Sequence, residues 1–162
     1  MTHDETVERT ALRHVLATLA YRTVRATENL PPAFAHFSAH PGSRTPVAIL
    51  AHMGDLFDWA LSMASGHEQW GEAAPLEWEE ERVRFHNGIR AFDAYIAGPA
   101  AVACPLTRLL QGPLADAMTH AGQLAMLRHM FGQPMKGENY FVADIAIGRI
   151  GMDQPAPRKP FR

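Results

Sequence analysis

Cysteine is almost missing from this 162-residue sequence: Cys104 stands alone. An internal disulfide is therefore excluded, and a reducing cytoplasm is the expected setting. A small buried residue beside a proline is the common use of a lone cysteine, so Cys104 is not read as a nucleophile. Lysine is scarce as well. Of the 15 basic residues only Lys136 and Lys159 are lysines, and the arginines are scattered without a basic run. With a formal net charge of -2, neither a nucleic-acid surface nor an anionic-membrane surface is expected. Long apolar runs are also lacking. The longest, Ile96 to Leu106, is broken by Gly98, Pro99 and Pro105 and is too short to span a bilayer. The opening MTHDETVERTALRH puts acids and bases where an export signal needs apolar residues. Internal repeats, phosphate-cradling glycine loops and low-complexity tracts are absent.

What is present is an ordinary globular composition, 47% hydrophobic and 20% charged, with no break to suggest a second domain. One soluble domain over residues 1–162 is expected, with an irregular, proline-rich tail from about Met152. Four amphipathic segments carry it. Thr2 with Glu5 can form a capping box, and Ala11, Leu12, Val15, Leu19 and Ala26 recur at helical spacing up to about Asn29. Leu30-Pro31-Pro32 ends that helix, and the connection after it holds His36 and His40, which no helical spacing aligns with other groups.

Thr45 followed by Pro46 predicts the start of a second helix, and Gly66 a left-handed stop after Ser65. Ile49, Met53, Leu56, Ala60 and Met63 mark its apolar side, with His52 inside that arc; Gly54, Asp58, Ser62 and Ser65 define its wet side. A third helix is predicted from about Leu76 to Ala97, with Trp78, Phe85, Ile89, Phe92 and Ile96 in register. Arg82 shares that register, either snorkelling from the core or clamping an anionic substrate at a cavity mouth. The acidic run before it reads as a solvated first turn, and His86 as structural. The fourth helix starts near Thr107, or afresh at Pro113, and ends at Gly132. The segment from Lys136 to Gly151 fits a short helix through Tyr140, Ala143 and Ile147 only weakly. Four such segments with short or medium connections predict an all-α four-helix bundle with a short C-terminal extension.

The fourth helix is the unusual one. At about 100° per residue, Asp116, His120, Gln123 and Leu127 share one narrow stripe flanked by Leu124 and Phe131. A polar stripe set among apolar neighbours needs partners, and a metal ion is the simplest. Asp116 and His120, four residues apart, form a two-ligand claw. A third ligand must come from another helix, and His52 is the histidine lying well within a core-facing stripe. Three protein ligands leave coordination positions open, as catalytic metals require, and suit zinc, nickel or ferrous iron. Asp55, one turn after His52, is placed to orient it. The outward side of the fourth helix, with Met118, Ala121, Gly122, Ala125 and Met126, is poor in charge. Either that helix is central or it meets a second subunit, and a homodimer is expected.

TPVAILAHMGDLFDWA around His52, DAMTHAGQLAMLRHMFGQP around His120 and the trailing KGENYFVADIAIGRIG resemble the signatures of the DinB-like superfamily of metal-dependent bundle proteins. The resemblance runs over roughly residues 5–150 in helix order. It implies a four-helix bundle, often dimeric, whose divalent metal is held at the positions of His52, Asp116 and His120. The commoner family pattern has histidine where this chain has Asp116. That aligns it with the histidine, carboxylate, histidine variant of thiol-dependent maleylpyruvate isomerase, with aspartate in place of the longer glutamate. If Asp116 falls short of the metal, it would act through water or as a general base. The superfamily includes transferases that use mycothiol or bacillithiol, which implies thiol transfer to a small electrophile. In that reading Gln123 orients His120 or the thiol, and Trp59 and Arg82 line the mouth. The alternatives are metal-assisted hydrolysis or isomerisation, and a non-enzymatic, ligand-binding bundle.

Overall fold

Each long segment begins and ends on chemistry that its own neighbours supply. The computed structural model describes residues 3–161, so the Thr2 half of the expected capping box lies outside the described residues. Helix α1 (His3–Thr27) carries Asp4 and Glu5 in its first turn and Arg25 in its last, the polarity that suits a helix dipole. It ends two residues before Asn29, which takes the left-handed conformation at φ 55°. Helix α2 (Pro46–Ala64) starts as expected, with the Thr45 hydroxyl accepting from the Ala48 N–H and proline at its first position; Gly66, at φ 81°, ends it. Helix α3 (Trp78–Ala97) starts two residues later than the pattern suggested. The Glu81 carboxylate reaches back to accept the Leu76 N–H at 2.9 Å. Glu81 is fully buried, so part of the acidic run is structural rather than solvated.

The fourth rod is composite. Helix α4 (Leu106–Leu109) passes through a π turn (Leu110–Leu114) into helix α5 (Ala115–Met130). Pro113 lies inside that turn. Its ring and missing N–H cannot be fitted to the regular i to i−4 ladder, and widening the turn accommodates them without ending the rod. Both expected starting points are therefore used, one for the rod and one for its break. Phe131 follows α5, and Gly132 at φ 83° terminates it.

The fold is all-α among the described residues. Helix α1 packs on α3 and α5, and α2 on the same two, so the four rods close into a bundle with α3 and α5 on opposite sides. One continuous core fills it, including Leu16, Leu19, Leu50, Met53, Phe57, Phe85, Ile89, Phe92 and Leu124. Of the residues expected on the apolar face of α1, Ala11 is instead exposed. Helix α2 has the length and composition of a membrane span, but most of it is buried, as a core helix of a bundle is. Its expected wet side is wet only in part. Gly54 is buried, because the Arg84 guanidinium of α3 lies against it; a Cβ there would sit 2.8 Å from Arg84 Nη2. On the facing helix, a Cβ on Gly88 would meet Phe57 at 3.2 Å, so two glycines set the close approach of α2 and α3.

Buried arginines bind the rods end to end. Arg9 donates to the carbonyls of Ile96, Gly98 and Ala100, satisfying the C-terminus of α3. Arg128 does the same for α1, donating to Arg25 O at 2.8 Å and Glu28 O at 3.0 Å, and to Gln133 O. The segment after α5 is not the short helix expected there. Only a 3-10 turn forms (Tyr140–Val142), and the rest is extended and irregular with Gly148 at φ 84°. Its order comes from docking. Glu138 is buried and accepts from the Tyr21 hydroxyl at 3.0 Å, Arg22 stacks on Tyr140, and Ile150 is buried against α3. The tail beyond Met152 is irregular as expected, yet anchored: Arg25 donates to Pro155 O, and Glu138 pairs antiparallel with Pro160.

Candidate metal centre

The two helices that carry the expected ligands, α2 and α5, pack directly on each other. His52 lies in the second turn of α2, and the π turn delivers Asp116 one residue into α5 with His120 one turn beyond. The three side chains converge. His120 Nε2 is 3.4 Å from Asp116 Oδ1, His52 Nε2 is 3.6 Å from Asp116 Oδ2, and the imidazole centroids are 4.9 Å apart and nearly perpendicular. One donor atom from each residue lies within 4.8 Å of the others.

These spacings fit a metal. Donors about 2.0–2.2 Å from a tetrahedral ion stand roughly 3.4 Å from one another; each imidazole is at about that separation from one of the two Asp116 oxygens, and one donor from each of the three residues lies within 4.8 Å of the others. The donor set, two imidazoles and one carboxylate, is that of zinc, nickel and ferrous iron sites. The imidazoles also present the right edge. His120 Nδ1 is bonded to Gln123 Oε1 at 2.8 Å; with the carbonyl oxygen accepting, Nδ1 carries the proton and the Nε2 lone pair faces Asp116. Burial, assisted by the nearby charges of Arg44 and His120 and opposed by Asp116, lowers the His52 pKa and favours its neutral, ligating form. Gln123 thus stands where the sequence placed it, next to His120.

The surroundings differ from those expected in a deep core. His120 is buried, but His52 is only partly covered and the Asp116 side chain is 47% exposed. The polar stripe lies at the rim of the bundle because its next positions open on a cleft rather than on a neighbouring helix. That cleft, of about 690 Å³, has His120, Gln123 and Leu127 on one side and Arg44 and Ile49 on the other. A smaller one, of about 160 Å³, holds His52 and Asp55 together with Arg44 and Glu72.

Three expected neighbours have other partners. The Asp55 carboxylate accepts from Arg84 and from the Ala73 N–H, so it joins α2 to α3 and to the connection between them rather than orienting His52. Arg82 donates to Glu79 at 2.7 Å and places its charge beside His86. It lines neither cleft at the triad, and the helix that carries it, α3, packs on α1 and α2. Trp59 packs edge-on against Trp70 at 5.6 Å, and Trp70 in turn meets the His52 ring at 5.9 Å. Trp70 is therefore the direct cover, with Trp59 behind it.

The residues missed are Arg44 and Trp70, both in connections, where periodicity has nothing to read. The available signals are slight: an aromatic residue in the polar run GHEQWGE, and an arginine immediately before a helix cap. Cys104 is only partly covered rather than buried as expected, and partial burial and the charge of Glu68 raise its thiol pKa, which disfavours the thiolate. No family model, curated protein or solved structure matches the chain.

Proposed function

We propose that the chain is a DinB-like, metal-dependent enzyme acting on a small molecule in the cytoplasm, with His52, Asp116 and His120 as the ligands of one divalent cation. The observation that carries this is the convergence of two imidazole Nε2 atoms and one carboxylate, from two helices, at the rim of a cleft large enough for a small-molecule substrate. A purely structural metal would be closed off by four protein ligands; three ligands beside a cleft suit catalysis. The concrete reading is transfer of a low-molecular-weight thiol to an electrophile, supported by the resemblance of the His52 and His120 stretches to a superfamily containing such enzymes. Zinc or nickel suits it best, with ferrous iron the further candidate.

His52, Asp116 and His120 would hold a divalent ion, whose chemistry when bound would be to lower the pKa of a thiol or water at neutral pH. The chain's own groups do the rest. Gln123 fixes the ring orientation and tautomer of His120. Trp70 shields one side of His52 from bulk solvent. Should Asp116 fall short of the ion, its half-exposed carboxylate, in reach of both imidazoles, would be the chain's own general base, directly or through a water. That same exposure favours the second reading, hydrolysis or isomerisation, because a carboxylate open to solvent can also take a proton from water. A second copy of the chain would pack against α5 where Gly122 and Met130 are exposed; both also line the large cleft, so the partner would border the cleft. A monomer by light scattering at micromolar concentration removes that part.

Elemental analysis of the purified protein and of Asp116→Ala tests the centre. The expected result is about one zinc or nickel per chain, diminished in the variant; no metal, even after zinc or nickel is added, leaves the enzyme reading without a basis. Offering monobromobimane with and without bacillithiol or mycothiol then separates the reactions. Turnover that ignores the thiol points to the hydrolytic reading.

A further inference from the structure

The two clefts at the triad have one lining residue in common, Arg44. Each is walled by a different histidine of the triad, the large one by His120 and the small one by His52, so Arg44 stands astride the pair. Its charge is felt at His52. It has no hydrogen bond or ion pair among the described residues, although Glu72 shares the small cleft with it. Other arginines in the fold are committed: Arg9, Arg13, Arg84 and Arg128 each bind carbonyls or carboxylates. The large cleft contains no acidic side chain, and apart from Arg44 its walls are apolar or neutral, with Ile49, Met126 and Leu127 forming the apolar portion. A cationic ligand would find no carboxylate in that lining; the nearest, Asp116, belongs to the triad, 3.4 Å from His120 Nε2. A neutral apolar ligand would leave the guanidinium unused at the edge of the reacting centre.

We propose that the large cleft binds a small monocarboxylate with an apolar body, its carboxylate held by Arg44 beside the triad and its apolar part lying on Ile49, Met126 and Leu127. A carboxylate is favoured over a more highly charged anion because one guanidinium supplies one charge and a planar fork of donors that matches two carboxylate oxygens. The thioether of Met126, 65% exposed, offers an adaptable apolar wall rather than a shaped one. Arg44 is thus a specificity residue: it fixes which end of the substrate faces the metal. The inference rests on the metal-site reading for the identity of this cleft as the reaction site, whereas the anion contact itself requires no metal.

Three isosteric probes test it by calorimetric titration: 4-phenylbutyrate, 4-phenylbutan-1-ol and 4-phenylbutylamine, each against chelator-treated and zinc-loaded protein. The carboxylate is expected to bind about tenfold or more tightly than the alcohol in both forms, with the amine weakest. In Arg44→Gln the carboxylate and the alcohol should bind alike, while Arg44→Lys retains part of the preference. In Met126→Gln all three should weaken together. Equal binding of carboxylate and alcohol by the parent protein overturns the proposal, as does a preference that survives in Arg44→Gln, or no binding of any probe at millimolar concentration. A preference seen only with zinc assigns the carboxylate to the metal and overturns Arg44's role, leaving the metal centre standing. A preference in protein that takes up no zinc supports the anion site and removes the metal centre.

Discussion

His86 provides a quantitative check on the packing of the C-terminal segment. It is a buried imidazole on α3 whose Nδ1 donates to the Ile150 carbonyl at 2.9 Å. Its environment opposes protonation: burial is the largest influence, the hydrogen bond to Ile150 acts the other way, and the charges of Arg82 and Arg90 add to the burial effect, leaving its pKa at about 4 instead of 6.5. The folded pKa lies below the unfolded one. Stability from this group is therefore fully present above the unfolded value and is lost as pH falls from about 6.5 toward 4. At pH 5 the unfolded chain is mostly protonated at this position and the folded chain is not, which amounts to about 2 kcal/mol relative to neutral pH. His86→Gln keeps a donor in reach of Ile150 but does not titrate. Urea denaturation at pH 7.5 and pH 5, with chelator present to keep the triad metal-free, should show the parent losing about 2 kcal/mol more than the variant. Equal losses would refute the burial argument, and so would an NMR titration placing the His86 midpoint near 6.5.

Two further variants probe the polar scaffolding. Arg128→Ala removes a buried guanidinium that serves the carbonyls of Arg25, Glu28 and Gln133; it should destabilise the chain by about 2–4 kcal/mol in urea, and a midpoint like the parent's would contradict the capping role. Gln123→Leu removes the partner of His120 Nδ1 and should weaken cobalt binding about tenfold or more with the fold unchanged, read by quenching of Trp70 beside His52. Identical cobalt affinity in the variant would show that Gln123 does not position the ligand.

Much of this molecule was legible because its signals are local. A hydroxyl followed by proline starts α2, and glycines in the left-handed conformation stop α2 and α5. The triad was legible for a related reason: polar residues at helical spacing on an otherwise apolar helix contradict the pattern around them, and two such contradictions on separate helices point at each other. What stayed hidden depends on how elements meet. Periodicity on α3 selects Arg82, yet Arg84, two residues on and outside the apolar register, is the arginine that engages α2, because Gly54 leaves it room. Asp55 is then claimed by Arg84 instead of by His52. Trp70 and Arg44 come to the site from connections, and Ile150 and Glu138 are buried by tail docking that no short-range pattern encodes.

The exposure of Asp116 also decides how folding depends on the metal. A fully buried, unpaired carboxylate among apolar side chains would destabilise the metal-free chain severely, and the fold would then require the ion. Here the carboxylate is half in solvent and His120 has Gln123, so the metal-free state carries little unpaid desolvation. The metal should act by mass action alone. At a free zinc concentration of about 100 times Kd, binding to the native state adds roughly 2.7 kcal/mol, which raises the melting temperature by about 5–10 °C for a chain of this size. His52→Ala should keep the parent's helical circular dichroism and melt close to the parent in chelator, while failing to gain the zinc-dependent increase. If the parent instead unfolds when chelated, the triad is a structural site and its rim position has been misjudged. If the variant gains as much from zinc as the parent does, His52 is not a ligand.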